Sequence, residues 1–342
     1  MEKDFVQDPL TGIDNSKIKP LIKWAGGKTR LNPQLTKVAD LALKSLKIKK
    51  FDYYEPFFGG GALFFELHKN EKIDSAHIND IIPHLISFYK TIANNELLNE
   101  LLEKIEELAY EFNVSDQEKV YGTAKKNNGM VGRFNDLWTI TKDDELKLIS
   151  EDTRIESAAL FYVLNKTGFN GMFRLNQKGK FNIPKGDTNK VNFNDEVKNN
   201  FKNVSSILLK TKIHCGSYEK ILPPKNKIDK NKSFIYLDPP YIPDSDTADF
   251  TDYSKEGFKE KDHKQIANIF HQLAKSGHKV VLSNNSNNDS KKMYAKNKNV
   301  FAYEVDVSRA IAKTKKGKRP PSKELLVSSF NLEELGLERV LI

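Results

Sequence analysis

Cysteine is almost missing from this 342-residue chain, and long apolar runs are missing altogether. A single cysteine, Cys215, excludes an internal disulfide and any metal site built from several cysteines. Apolar runs of only a few residues exclude a membrane-spanning helix. Residues 1–16 carry acids and a proline but no apolar block of signal-peptide length. We therefore expect a cytoplasmic protein that does not enter a membrane.

Arginine is also scarce, although the chain is basic. Of 55 Lys and Arg residues only seven are Arg, and the net charge is +9. An excess of positive charge favours a polyanionic partner such as nucleic acid. The richness in Lys and Asn would also result from an AT-rich genome, so charge alone leaves both explanations open.

Short strand-like runs alternate with helical patterns, which predicts an α/β fold. Helical spacing is clear at Pro83–Ile92 and Phe258–Ala274. This alternation predicts a mostly parallel sheet with helices on both faces. The last two runs are separated only by a basic Gly/Pro-containing stretch, which predicts an antiparallel pair at the sheet edge. The predicted strands are Phe51–Tyr54, Ala76–Asn79, Phe234–Asp238, Lys279–Ser283, Val300–Val305 and Glu324–Phe330.

The middle of the chain has a different character. An amphipathic helix over Glu96–Glu111 is followed by a glycine- and asparagine-rich stretch, which predicts a mainly helical insertion with long loops. We therefore divide the chain into a first catalytic part (18–93), an inserted domain (94–203) and a second catalytic part (204–332).

Three successive glycines mark the first candidate site. The segment Glu55–Ala62 (EPFFGGGA) runs from a predicted strand into a helix, and glycines allow the backbone a tight turn and close approach to a ligand. Its spacing is not that of dinucleotide enzymes. Asp80 directly follows the next predicted strand, where a carboxylate can accept hydrogen bonds from both ribose hydroxyls of a nucleoside.

The segment Leu21–Thr29 contains Gly-Lys-Thr but is not a phosphate-binding loop. Such a loop needs a glycine where Ile22 stands. Trp24 and Lys28 are instead candidates for ligand contact, with structural packing of Trp24 as the alternative.

The most informative segment is Phe234–Tyr241 (FIYLDPPY). An apolar strand ends in Asp238, Pro239, Pro240 and Tyr241. The prolines remove backbone donors and stiffen the turn, which leaves carbonyl oxygens free to accept. A carboxylate and a carbonyl that hold the two hydrogens of an adenine amino group would direct its nitrogen lone pair at an electrophilic methyl group. The Tyr241 ring can stack on a base drawn out of the helix.

Together these segments resemble the Dam-type (D12 class) DNA adenine-N6 methyltransferase family over roughly residues 19–330. The resemblance implies a Rossmann-like fold that uses S-adenosylmethionine, and transfer of its methyl group to the N6 amino group of a flipped adenine in duplex DNA. It implies Asp238–Tyr241 as the catalytic motif. It also implies cofactor contacts by Trp24, Lys28, Glu55, Phe57, Gly59, Gly61, Asp80 and Asp238.

Segments Asn165–Asn176 and Gly179–Gly186 resemble the DNA-contacting hairpin of the same family. Donors on these loops can bind phosphates or base edges. The segment of residues 109–148 is longer than its counterpart in short members of the family. The DNA sequence that those members recognise therefore cannot be assigned to this chain. The basic run 313–319 either clamps the DNA backbone or is a solvated charge run. The predicted DNA contacts are Arg133, Asn165, Lys166, Asn170, Arg174, Asn176 and Lys180.

Two other functions stay open at this stage. A methyltransferase for RNA or a protein amide could use a similar turn, and a decayed enzyme could survive as a non-catalytic DNA-binding protein. We expect a monomer, because one catalytic domain with one recognition insertion suffices to modify one strand at a time. We expect no metal, because His263, His271 and His278 lack suitably spaced carboxylates. A restriction endonuclease from the same host is a conceivable partner.

Overall fold

The computed structural model describes residues 17–26, 31–142, 145–223, 227–242, 258–295, 300–307 and 322–340. Lys28 and the basic run 313–319 lie outside these residues. In chain order the elements are α1 Asn32–Leu46, β1 Phe51–Glu55, α2 Ala62–Lys69, β2 Ile73–Asp80, α3 Pro83–Ile92, α4 Asn95–Val114, α5 Gln117–Tyr121, α6 Gly129–Asp136, β3 Trp138–Ile140, β4 Leu146–Leu148, α7 Arg154–Thr167, α8 Asp195–Leu209, β5 Thr211–Cys215, β6 Ser233–Leu237, α9 Glu260–Lys275, β7 Lys279–Asn285, α10 Asn288–Ser290, β8 Phe301–Val307, β9 Ser322–Ser328 and β10 Glu338–Arg339.

Within the described residues, the central sheet has eight strands in the order β10-β8-β9-β7-β6-β1-β2-β5. Strands β7, β6, β1, β2 and β5 are parallel, and β9, β8 and β10 continue the sheet antiparallel. The predicted mostly parallel sheet with an antiparallel pair is confirmed. Strands β5 and β10 were not predicted, because β5 carries one large apolar residue (Ile213) and β10 spans two residues.

Alternate residues of the central strands point to two separate apolar cores. Tyr53, Tyr236 and Val281 belong to one core, whereas Leu237 and Leu282 belong to the other. Helices α1, α2 and α3 contribute to the first core and α9 to the second. All five residues of β6 are buried, as expected for a central parallel strand covered on both faces.

Helices α4, α7 and α8, within residues 94–203, pack on α3 beside the sheet. The Phe88 ring on α3 lies 5.2 Å from that of Phe161 on α7, and the Tyr162 ring lies 5.1 Å from that of Phe201 on α8. Helix α7 was not predicted, because it is buried over most of its circumference and therefore lacks an amphipathic pattern. In the parts of the chain described here, we find no helix with the length and apolar character needed to cross a bilayer.

Candidate active site

The carboxyl ends of three neighbouring parallel strands bring the predicted acidic residues to one edge of the sheet. Glu55 ends β1, Asp80 ends β2, and Asp238 directly follows β6. Since β6, β1 and β2 are adjacent and parallel, these residues share that edge. Ligands of open α/β sheets bind outside the carboxyl ends of the strands.

Asp80 is enclosed by the backbone of the glycine loop. Its Oδ2 accepts a hydrogen bond from Gly59 N at 2.9 Å, and its Oδ1 accepts one from Ile82 N at 3.0 Å. Only 8% of Asp80 is exposed. The loop is joined to β2 a second time, because Phe58 N donates to Asn79 O at 2.9 Å. The carboxylate and the loop therefore form one unit.

Burial raises the pKa of Asp80 from 3.8 to about 6, against the opposing effect of the Gly59 and Ile82 N–H groups. The folded protein thus holds this proton more tightly than the unfolded chain between pH 4 and 6. The contribution of Asp80 to the free energy of unfolding consequently falls as the pH rises through that window. Further hydrogen-bond donors, such as ligand hydroxyls, would stabilise the buried, ionised carboxylate of Asp80.

Trp24 packs directly on the glycine loop. Gly59 has a φ of +50°, and a Cβ there would lie 2.6 Å from Trp24 Cδ1. A Cβ on Gly60 would lie 3.0 Å from Trp24 Cβ. The indole also stacks on Phe173, with ring centroids 6.3 Å apart. Trp24 is half-buried, so it joins the opening segment, the glycine loop and residue 173.

An aromatic wall follows Glu55. The Glu55 carboxylate is buried and accepts a hydrogen bond from Tyr53 OH at 3.1 Å. Phe57 is half-buried, with its ring centroid 5.4 Å from that of Tyr218 and 6.1 Å from that of Phe258. Tyr218 and Phe258 could not be assigned to this wall from the sequence, because they lie on segments far from Phe57 in the chain.

The Asp238–Tyr241 turn is held by β7 and β9. Ser283 Oγ donates to Asp238 Oδ1 at 2.8 Å, and Tyr241 OH donates to Glu324 Oε2 at 2.8 Å. Asn284 Oδ1 accepts from Ile242 N at 3.1 Å. Pro239 is buried and Pro240 half-buried. Ser283, Asn284 and Glu324 carried no signal in the sequence, because the order of the strands in the sheet brings them to the turn.

Burial, together with the nearby Asp238 and Glu324, holds the pKa of the Tyr241 phenol well above its usual value. Tyr241 therefore stays protonated and keeps donating to Glu324. Its ring is thus fixed at both ends, by the proline turn and by the phenol hydrogen bond.

Two residues predicted as DNA contacts have structural partners within the protein. Asn165 is buried, and its side chain accepts from Lys23 N at 2.9 Å while donating to Lys23 O at 2.8 Å and Gly171 O at 2.9 Å. Arg133 lies between two carboxylates, 3.1 Å from Glu111 and 2.9 Å from Glu156. Asn165 therefore fastens a loop, and Arg133 ties α6 to α4 and α7.

The other predicted contacts are more accessible. Asn170 and Arg174 are exposed, and Arg174 Nε donates to Asn182 at 3.0 Å. Asn176 Oδ1 accepts from the N–H groups of residues 178 and 180, which closes the turn, and Lys180 Nζ lies 3.6 Å from Asp136. The exposed ring of Phe169, beside Asn170, was not identified from the sequence.

Lys166 is half-buried beside this loop. Its Nζ lies 5.0 Å from the centre of the Tyr162 ring, and it makes no ion pair within the described residues. Burial, followed by the nearby Lys23, lowers the pKa of Lys166 from 10.5 to about 8. A cation in this environment is stabilised by an anion that approaches from solvent.

Comparison with known proteins gives a matched region that contains Trp24, the glycine loop, Asp80 and the Asp238–Tyr241 turn. Residues 24–311 match the family described as D12 class N6 adenine-specific DNA methyltransferase. The chain is 36% identical over 273 residues to the Type II methyltransferase M.MjaIII of Methanocaldococcus jannaschii, covering 80% of this chain and 86% of the relative. It is 31% identical over 319 residues to the Type II methyltransferase M1.LlaDCHI of Lactococcus lactis subsp. cremoris, covering 92% and 96%. It is also 31% identical over 280 residues to a DNA adenine methylase of Vibrio cholerae, covering 81% and 85%.

Proposed function

Because this chain belongs to the D12 class of N6 adenine-specific DNA methyltransferases, we propose that it methylates adenine at the Asp238–Tyr241 turn. The enzyme transfers a methyl group to the N6 amino group of adenine within a specific DNA site, as its relatives' names also indicate. The observation that carries the assignment of the site is the shared sheet edge, where Asp238 stands beside the glycine loop and Asp80.

The residues at this edge fit S-adenosylmethionine, the general methyl donor of such enzymes. Asp80 suits the two ribose hydroxyls, and Glu55 suits the positive charge of the donor. Trp24 and the positive-φ turn at Gly59 and Gly61 shape the loop that would enclose it. Phe57, with the rings of Tyr218 and Phe258, offers an apolar wall for a purine. When bound, S-adenosylmethionine supplies an electrophilic methyl group on a sulfonium.

The turn itself acts on the amine. The lone pair of an adenine amino nitrogen is delocalised into the ring, which makes the nitrogen a poor nucleophile. The Asp238 carboxylate and the Pro239 carbonyl can accept the two amine hydrogens, which favours a pyramidal nitrogen with its lone pair directed outward. Tyr241 stacks on the extruded base and offsets part of an unstacking cost of a few kcal/mol. The methylated nitrogen then releases a proton to Asp238 or to water.

Residues 94–203 would supply target recognition, between catalytic parts 18–93 and 204–332. Two contacts support this division. Phe173, next to the exposed Arg174, stacks on Trp24, and Asn165 binds the backbone of Lys23. The loop with the exposed polar residues is therefore attached directly to the opening segment of the catalytic part.

Labelled methyl transfer tests the substrate. Incubation of the protein with radiolabelled S-adenosylmethionine and duplex DNA, RNA or a protein extract should place label only in DNA, as N6-methyladenine. Label in RNA or protein at a comparable rate would instead support the alternative methyltransferase function. Sequencing of DNA from an expressing host, with a readout for methylated adenine, should then reveal one short recognition site.

The affinity for S-adenosylmethionine should depend on pH through Asp80. Since the pKa of Asp80 is about 6, the carboxylate becomes protonated below that pH and loses acceptor capacity for the ribose hydroxyls. The dissociation constant should rise by about tenfold for each pH unit below 6, as measured by calorimetry.

Asp80→Asn should remove this pH dependence and weaken binding at pH 7.5 by about tenfold or more. Asp52→Asn, at the opposite end of β1, should leave the pH dependence intact. A pH-independent affinity in the unmodified protein would exclude ribose binding by an ionised Asp80.

Salt dependence should separate the accessible cations from the paired one. The slope of log K against log salt concentration for duplex DNA is negative. Arg174→Ala and Lys166→Ala should each reduce its magnitude by about one, because each removes one phosphate contact. Arg133→Ala should leave the slope unchanged and lower the free energy of unfolding by up to about 1 kcal/mol, because Arg133 is paired with Glu111 and Glu156. A reduced slope in the Arg133 variant would return that residue to the DNA-contacting set.

A further inference from the structure

Two buried hydroxyls lie in a line behind Asp238. Tyr236 on β6 and Ser283 on β7 are both fully enclosed. The Tyr236 OH and Ser283 Oγ are 2.8 Å apart, and Ser283 Oγ lies 2.8 Å from Asp238 Oδ1. Because the two strands are adjacent and parallel, the row of hydrogen bonds from Tyr236 to Asp238 runs between neighbouring strands of the central sheet.

The chemistry of the three groups fixes the direction of these hydrogen bonds. An ionised carboxylate only accepts, so the single Ser283 hydroxyl hydrogen is directed at Asp238. The Ser283 oxygen is then an acceptor for the Tyr236 hydroxyl. Burial and the nearby Asp238 hold the pKa of Tyr236 well above its usual value, so it stays a donor. Hydrogen bonds in such a chain polarise and strengthen one another.

We infer that Ser283, supported by Tyr236, is the residue that orients the Asp238 carboxylate for its contact with the adenine amine. This inference rests on the proposed role of Asp238. The terminal torsion of an aspartate has a broad, roughly two-fold profile, so an unsupported carboxylate would sample many angles. The bond from Ser283 to Oδ1 restricts that rotation.

Orientation matters here because the reaction depends on the direction of one nitrogen lone pair. A displacement of about 1 Å at a reacting group can cost about a hundredfold in rate. Neither hydroxyl reaches the substrate itself, since both are enclosed in the sheet. Their loss should therefore appear in the chemical step and not in binding.

Single-turnover kinetics on a duplex containing the recognition site tests this role. Ser283→Ala should lower the methyl-transfer rate by about ten- to a hundredfold, with dissociation constants for DNA and S-adenosylmethionine within twofold of the unmodified enzyme. Ser283→Thr keeps the hydroxyl and should recover most of the rate. Tyr236→Phe removes only the outer hydroxyl and should give a smaller loss.

A matched control is available on the same sheet. Ser233 at the start of β6 is equally buried, and its hydroxyl finds no hydrogen-bond partner among the described residues. Ser233→Ala removes the same atom without breaking a hydrogen bond, so its rate should stay within twofold of the unmodified enzyme.

An unchanged rate in Ser283→Ala, or an equal loss in Ser283→Thr and Ser283→Ala, would overturn the inference. If Ser283→Ala does not fold, Tyr236→Phe decides: an unchanged rate overturns the inference and a reduced one supports it. Asp238→Ala separates a failure of the proposed site from a failure of the orienting role of Ser283. An active Asp238→Ala enzyme would refute the proposed site, whereas an inactive one beside a fully active Ser283→Ala enzyme would refute only the orienting role.

Discussion

Replacing Asp238 with alanine is expected to lower the single-turnover rate of methyl transfer by about a thousandfold. The variant loses the acceptor that holds one amine hydrogen at the end of β6, while Pro239 and Tyr241 keep their positions. Asp238→Asn keeps an acceptor oxygen but not the charge, so its loss should be smaller than that of the alanine variant. The measurement is rapid-quench transfer of a labelled methyl group to a duplex with the recognition site.

Asp74→Asn is the control for this experiment. Asp74 is exposed at the start of β2, at the opposite edge of the sheet from Asp80, so the same charge is removed without a change at the site. Its rate should equal that of the unmodified enzyme. A loss of less than tenfold in Asp238→Ala would exclude the carboxylate from the chemical step.

Replacing Gly59 with alanine should raise the dissociation constant for S-adenosylmethionine by about a hundredfold or more. The new Cβ would lie 2.6 Å from Trp24 Cδ1, so the indole or the loop must shift. A φ of +50° at this position adds about 1 kcal/mol of backbone strain for a residue with a side chain. The loop that binds the Asp80 carboxylate through Gly59 N would be displaced with it. Isothermal calorimetry measures the effect directly.

Gly336→Ala separates the effect of backbone strain from that of a steric clash with Trp24. Gly336 has a φ of +67°, and a Cβ there would meet no atom within 4 Å. This variant should lose a similar amount of stability and keep its affinity for S-adenosylmethionine. Equal affinities in the Gly59 and Gly336 variants would show that the contact between Trp24 and the loop is dispensable.

The elements that carry the site were predictable because burial and chemistry coincide there. The run Phe234–Leu237 is apolar at every position, which is typical of a central parallel strand, and Asp238 interrupts it where the strand ends. Glu55 and Asp80 end their strands in the same way. Parallel neighbours place such ends at one edge, so the sequence alone indicates that the three acids meet.

The remaining parts of the site depend on contacts between distant segments. Nothing local distinguishes Asn165, which is buried against Lys23, from the exposed Asn170 five residues later. Arg133 gave a sequence signal for DNA only because arginine is scarce, and Glu111 and Glu156 meet it through the packing of three helices. The roles of Ser283 and Glu324 likewise follow from strand order, which no single segment reveals.

The Asn165 side chain splices two stretches of backbone that are 142 residues apart in the chain. It hydrogen-bonds to both the N–H and the C=O of Lys23, as a neighbouring strand would in a β-sheet, and it also donates to Gly171 O. Gly171 sits so close that a Cβ there would be 2.5 Å from Lys23 Cβ. A movement of the 165–171 loop must therefore carry Lys23 and its neighbour Trp24 along or break the two hydrogen bonds between Asn165 and Lys23. The loop that carries the exposed Asn170 and the segment of Trp24 that packs on the glycine loop are thus fastened into one unit.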